Sequence, residues 1–157
     1  MLTVIGCGNA NRSDDGVGVF VAQALRERLH DRPRDDVRVF DAGTGGMDVM
    51  FQARGARKLV VVDASRSGSE PGAIFEVPGA ELQRDHVPSL SLHDFRWDHA
   101  LAAGRLIFRD QFPSDVSVLL IEAETLALGL ELSAPVQRAA ERVIARLAKV
   151  IDDYRAE

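Results

Sequence analysis

Three side chains far apart in the sequence carry the most chemistry: Asp15, Asp63 and His93. Asp15 lies in the polar loop after the apolar run Leu2–Ile5, Asp63 closes the run Leu59-Val60-Val61-Val62, and His93 falls in the first turn of an expected helix. Each position is one where a parallel sheet presents ligands, beyond the carboxyl ends of its strands. Two carboxylates and one imidazole, with no thiolate, suit a borderline divalent metal such as nickel or zinc, and three ligands leave coordination positions for a substrate. Asp14 is the better helix cap of the adjacent pair, which leaves Asp15 freer for chemistry. The plainer reading of the same residues is structural: an acid at a strand end often caps a loop, and a histidine in a first turn often only bonds backbone.

Other chemistries fit less well. Cys7 closes the first apolar run, where a small residue serves packing, and no spacing places a histidine beside it. Ser89, Ser91 and His93 do not form the G-x-S-x-G elbow of a serine hydrolase. His86 and His99 have no metal-ligand spacing to His93 and read as surface residues, while Trp97 with Phe95 reads as helix packing. Gly6-x-Gly8 after a strand, with Asp41 ending the next, hints at a dinucleotide site. Asn11 replaces the third glycine, however, and Arg12 to Asp15 puts bulk and negative charge where a pyrophosphate would rest.

The elements that must position these residues follow from periodicity. Leu2–Ile5, Val37–Phe40, Leu59–Val62, Ala73–Val77 and Val116–Ile121 read as strands, the fourth at an edge. Val17, Phe20, Val21, Ala24 and Leu25 mark a first helix, and Met47, Met50 and Phe51 one face of a short second. A third is expected from about Leu92 to Leu106, opened by a capping signature at Ser91 and Asp94. Ser133 should cap a last helix, with Pro135 in its first turn and Val136, Ala140, Val143, Ile144, Leu147 and Ile151 as its apolar stripe. The segment Ala80 to Pro88 reads as a loop. Strands alternating with helices predict a three-layer α/β sandwich, a mostly parallel, twisted sheet with helices on both faces. Asn9, Asp41, Asp63 and Glu122 then share one edge of that sheet.

At 157 residues, the chain is expected to form a single domain spanning 1–157. A net charge of −5 offers no basic field for nucleic acid, and no apolar run approaches the roughly 20 residues of a membrane span. One cysteine and a start that runs directly into a strand favour the cytoplasm.

With these residues in place, the chain resembles the [NiFe]-hydrogenase maturation endopeptidases. The resemblance rests on Gly6-Cys7-Gly8-Asn9 with Asp14-Asp15-Gly16-Val17-Gly18, on Asp41-Ala42-Gly43-Thr44-Gly45-Gly46, on Val62-Asp63-Ala64, on Ser91-Leu92-His93 and on Gly129-Leu130-Glu131-Leu132-Ser133. It implies an endopeptidase that trims the C-terminal extension of the hydrogenase large-subunit precursor after nickel insertion. Asp15, Asp63 and His93 match the family's metal-holding positions, and the loop carrying Asp41, Gly43, Thr44 and Gly45 matches its precursor-recognition segment. The resemblance further implies no permanently bound cofactor, nickel arriving with the precursor, and zinc or cadmium able to stand in for it. Hydrolysis would start either at a metal, by polarised carbonyl or activated water, or at Asp15 or Asp63 as general base. Aspartate at position 15, where the family often has glutamate, shortens that arm, and Ala123 replaces a common proline. A non-catalytic assembly factor that senses the precursor's metal with the same trio is the alternative.

Overall fold

Unbroken apolar character places β1 (Leu2–Cys7) and β3 (Lys58–Ser65) in the middle of the sheet, where both faces are covered. In this computed structural model, which describes residues 1–79 and 97–156, five strands stand in the order β2-β1-β3-β5-β4. β2 (Val37–Gly43) and β5 (Asp115–Glu122) pair parallel with β1 and β3 respectively, and β1 pairs parallel with β3. β4 (Ile74–Pro78) runs antiparallel to β5 at the edge, and its side chains are only partly covered, as its mixed pattern predicts.

Helices α1 (Val17–Asp31) and α4 (Ala134–Asp153) pack on one face, α2 (Gly46–Ala53) and α3 (Trp97–Phe108) on the other. The chain steps outward from β1 to β2 and then back past β1 to β3. Right-handed crossovers put helices on opposite faces when the direction reverses, so α1 and α2 separate. The reversal also makes the gap between the carboxyl ends of β1 and β3 the switch point of the sheet, where ligands collect in open α/β folds.

Strand alternation splits the core in two. Val4, Val60 and Val62 meet Val17, Val21 and Leu25 of α1 and Val136, Val143 and Leu147 of α4. Ile5, Leu59 and Val61 meet Val49, Met50 and Ala53 of α2 and Ala100 and Leu101 of α3. The stripe expected on α4 is the one observed, with Ile144 partly covered. The stripe expected on α2 is rotated: Met50 is buried, but Met47 is 44% and Phe51 55% exposed, and Val49 and Ala53 face inward instead. On so short a helix two apolar stripes are equally regular, and packing against α3 selects one. Phe51 turns to Phe108, edge to face at 5.9 Å. α3 runs on to Phe108, two residues past the expected end at Leu106. His93, the Ser91 and Asp94 cap, His86, Ser89, Phe95 and the Ala80 to Pro88 segment lie outside the described residues. Among the described residues no helix is long and apolar enough to cross a membrane.

α1 sits on the sheet with no side chain between them at its first turn. A Cβ at Gly18 would lie 2.3 Å from the Val62 carbonyl oxygen and 2.4 Å from that of Cys7. Both neighbours are backbone of central strands and cannot yield cheaply. Gly18→Ala is therefore expected to destabilise the protein by about 1–3 kcal/mol or more, read from the urea midpoint at unchanged m.

Candidate functional site

The loop leaving β1 turns at Gly8, whose φ of +127 suits glycine alone. Its N–H donates to the Gly43 carbonyl at 2.7 Å, and a Cβ there would lie 1.8 Å from the Asp15 carbonyl oxygen and 3.4 Å from Asp63 Oδ1. Gly8 thus stands between Asp15 and Asp63, at the switch point. Beyond it, Ser13–Gly16 forms a 3-10 turn that delivers the chain into α1.

The adjacent aspartates divide their work. Asp14 is fully buried, and its carboxylate accepts from the N–H groups of Glu124 (2.9 Å), Thr125 (3.1 Å) and Ser133 (2.7 Å) and from the Ser133 hydroxyl (2.8 Å). The cap expected of Asp14 is not made. The side chain reaches across to the loop between β5 and α4, and Ser133, at the N-cap position of α4, gives its hydroxyl to Asp14 rather than to the helix. Asp15, directed the other way, accepts the Asn9 N–H on Oδ2 at 3.0 Å and lines a cavity of about 300 Å³.

Asp63, expected at the end of its strand, lies inside β3, which runs on to Ser65, and has 3% of its surface exposed. Its Oδ1 accepts the Ala64 N–H at 2.8 Å and its Oδ2 the indole N–H of Trp97 at 2.9 Å. Trp97, expected as helix packing, is instead a wall of the cavity and a donor to Asp63. The rest of the cavity wall includes Ser65, Arg66, Asp98 and Leu126. Asp98 adds a carboxylate that no spacing pointed to. Its Oδ1 is buried without a hydrogen-bond partner among the described residues, 3.5 Å from His99 Nδ1. His99 is correspondingly largely covered, not the surface residue expected.

The glycine-rich loop lies on the same edge. Asp41 Oδ1 accepts the Gly43 N–H at 3.0 Å, closing a turn in which Gly43 takes a φ of +53. The Gly43 carbonyl joins this turn to Gly8, while Thr44 is exposed and Gly45 opens α2. Glu122 shares the edge in sequence but not in role, since it is buried and accepts from Ser67 N–H and Oγ and from Ser65 Oγ. Cys7 is buried in the core under α2 and α3. His93 lies outside the described residues; of the other two, the Asp15 backbone and the Asp63 side chain both flank Gly8. Among the described residues alone, no three histidine, cysteine or acidic side chains form a metal cluster.

Residues 19–150 match the family described as hydrogenase maturation protease. The chain belongs to this family. It is 36% identical over 103 residues to the coenzyme F420 hydrogenase subunit delta of Methanothermobacter thermautotrophicus, covering 59% of this chain and 65% of that one. It is 28% identical over 151 residues to the hydrogenase 2 maturation protease of Escherichia coli, covering 93% and 90%. Its fold is that of the hydrogenase-maturating endopeptidase HybD from E. coli, with a TM-score of 0.74 over 95% of this chain and 93% of that one at 24% identity. The chain spans just under two thirds of the length of some curated relatives it matches, 65% for the delta subunit.

In this member of the family, two buried carboxylates at the site's edge have measurable roles. Asp14→Asn would turn an amide donor toward the N–H groups of the 124–133 loop and is expected to cost about 2–3 kcal/mol in urea unfolding. For Glu122, burial pushes the carboxyl up, but the Ser67 and Ser65 donors together hold it below its ordinary value. A carboxyl lowered in the folded state stabilises above its unfolded pKa, and that contribution disappears as pH falls through the folded value. Urea midpoints taken from about pH 5 down to about pH 3 should therefore fall less steeply for Glu122→Gln than for the parent.

Proposed function

We propose that the protein is an endopeptidase that removes the C-terminal extension of the nickel-loaded [NiFe]-hydrogenase large-subunit precursor. The observation that carries this reading is the pair of acids, Asp15 and Asp63, on either side of Gly8 at the β1/β3 switch point of a maturation-protease fold, with Asp15 lining the cavity and Asp63 behind its Trp97 wall. Nickel is part of the substrate, held by the precursor and presented to the site. Asp63 is set to meet it: neutral donors on both oxygens fix the carboxylate in place without neutralising it. His93 supplies the imidazole of the set, and an oxygen and nitrogen donor set without thiolate complements a metal whose thiolates come from the precursor. Such a set completes another molecule's coordination sphere better than it keeps a free ion, so no resident cofactor is needed.

Asp15 acts as general base toward the attacking water, its Oδ2 anchored by the Asn9 N–H and the cavity open beside it. The Asp41 loop, tied to Gly8 through Gly43 and held in shape by the Gly43 and Gly45 backbone bonds, recognises the precursor through the exposed Asp41 and Thr44. A chain with a single cysteine suits the reducing cytoplasm as the place of the reaction.

The test incubates protein treated with chelator and then desalted with nickel-loaded and nickel-free precursor, and reads masses. Loss of a C-terminal peptide from the nickel-loaded form alone is expected. Cleavage of nickel-free precursor that returns only when metal is restored to the enzyme would assign the metal to the wrong partner, and binding without cleavage would make the protein a metal-sensing assembly factor. Asp63→Asn should lower kcat/KM by about 10²–10⁴-fold. Trp97→Phe, which removes the donor to Asp63 and some of the cavity wall, should cost about 10–100-fold.

A further inference from the structure

The cavity beside Asp15 is lined by two acids, Asp15 and Asp98, and among its described lining residues it has one cation, Arg66. Arg66 is the first residue beyond β3, on the strand-end edge that carries the candidate site. It is exposed, and among the described residues its guanidinium pairs with neither acid nor with any other group. An arginine on a loose turn would merely be solvated, but this one stands on a clamped base.

Glu122, buried at the end of β5, lies opposite Ser65 in the register of the two strands and holds the residues on both sides of Arg66. Its carboxylate accepts the Ser65 hydroxyl at 3.2 Å, the Ser67 N–H at 2.9 Å and the Ser67 hydroxyl at 2.7 Å. The Ser65 carbonyl in turn accepts the Ala123 N–H at 2.9 Å. With both neighbours fixed, Arg66 has only its side chain left to order when it binds, and its place at the cavity is set before a ligand arrives.

A guanidinium offers five donors in a planar fork and no acceptor, and it matches a carboxylate or a phosphate; a polypeptide substrate supplies the first. Main-chain carbonyls occur in every peptide and distinguish none. An acidic side chain does, because Asp15 and Asp98 repel it elsewhere in the cavity and leave Arg66 as its cationic seat among the described residues. A cavity of about 300 Å³ admits a chain segment rather than a folded surface, so the acid belongs to the peptide that passes Asp15. We infer that Arg66 is a specificity-determining residue: it seats an acidic side chain of the precursor near the scissile bond and so sets the register of the peptide over Asp15. The inference rests on the endopeptidase reading and adds what the site selects.

The test uses nickel-loaded precursors in which each acidic residue of the C-terminal segment is changed singly to lysine. Cleavage of each by the parent and by Arg66→Glu is followed by mass, and Kd is measured on the same pairs over times short against cleavage. For one lysine precursor the parent should show a KM and Kd raised about tenfold at little changed kcat. Arg66→Glu should reverse that order, taking the lysine precursor in preference to the natural one, at an unchanged Tm because the side chain is exposed. A general loss of packing or stability cannot produce such a reversal. If no precursor changes its rank between parent and Arg66→Glu, the acidic seat is overturned. A kcat lowered alike for every precursor at unchanged KM places Arg66 on the reacting carbonyl and also overturns it. A parent that binds without cutting strikes the endopeptidase reading, and the reversal in Kd then judges Arg66 by itself; a parent that neither binds nor cuts overturns both.

Discussion

A single buried carboxylate decides how the site is arranged. Asp14 is kept out of water by four hydrogen bonds from uncharged donors on one distant loop. Burial of an ionised group is tolerable only when donors replace its hydration, so the 3-10 turn and the 124–133 loop hold one another or neither is held. Because neighbouring residues in the turn point apart, fixing Asp14 inward also fixes Asp15 outward. The same contact seats the start of α4, whose Ser133 is one of the donors.

The sheet contributes the other half. The reversal of strand order opens the gap between β1 and β3, and the side-chain-free approach of Gly18 to the Cys7 and Val62 carbonyls draws the start of α1 down onto that gap. The first loop has too little room to fold back over the strands and so projects beyond their ends. Asp63 arrives at the same place because β3 runs past the apolar run that marks it, to Ser65, and Trp97 of α3 reaches its carboxylate with the indole N–H.

Much of this was legible in the sequence, and the reasons are physical. The central strands show as unbroken apolar runs because both faces are covered, and α4 shows as a stripe because one face is not. Asp63 could be placed near the end of β3 because the apolar run stops there, although the strand itself continues to Ser65. Asp14 was not legible as anything but a helix cap, because it is tied to a loop more than a hundred residues away and no local pattern encodes a partner at that distance. For the same reason Trp97 and Asp98 were passed over as helix residues. Their neighbours are set by where α3 crosses the sheet, not by spacing along it. The α2 face was misread because eight residues allow two apolar stripes.

Trp97 is the only tryptophan in the chain. Its indole N–H is bound to the carboxylate on which the site turns, and its ring forms part of the cavity wall. The near-ultraviolet emission of the protein therefore comes almost entirely from one ring in contact with one acid. Any ion, water or peptide that changes the field at Asp63 alters the light the molecule gives off, so the site carries its own unlabelled optical probe.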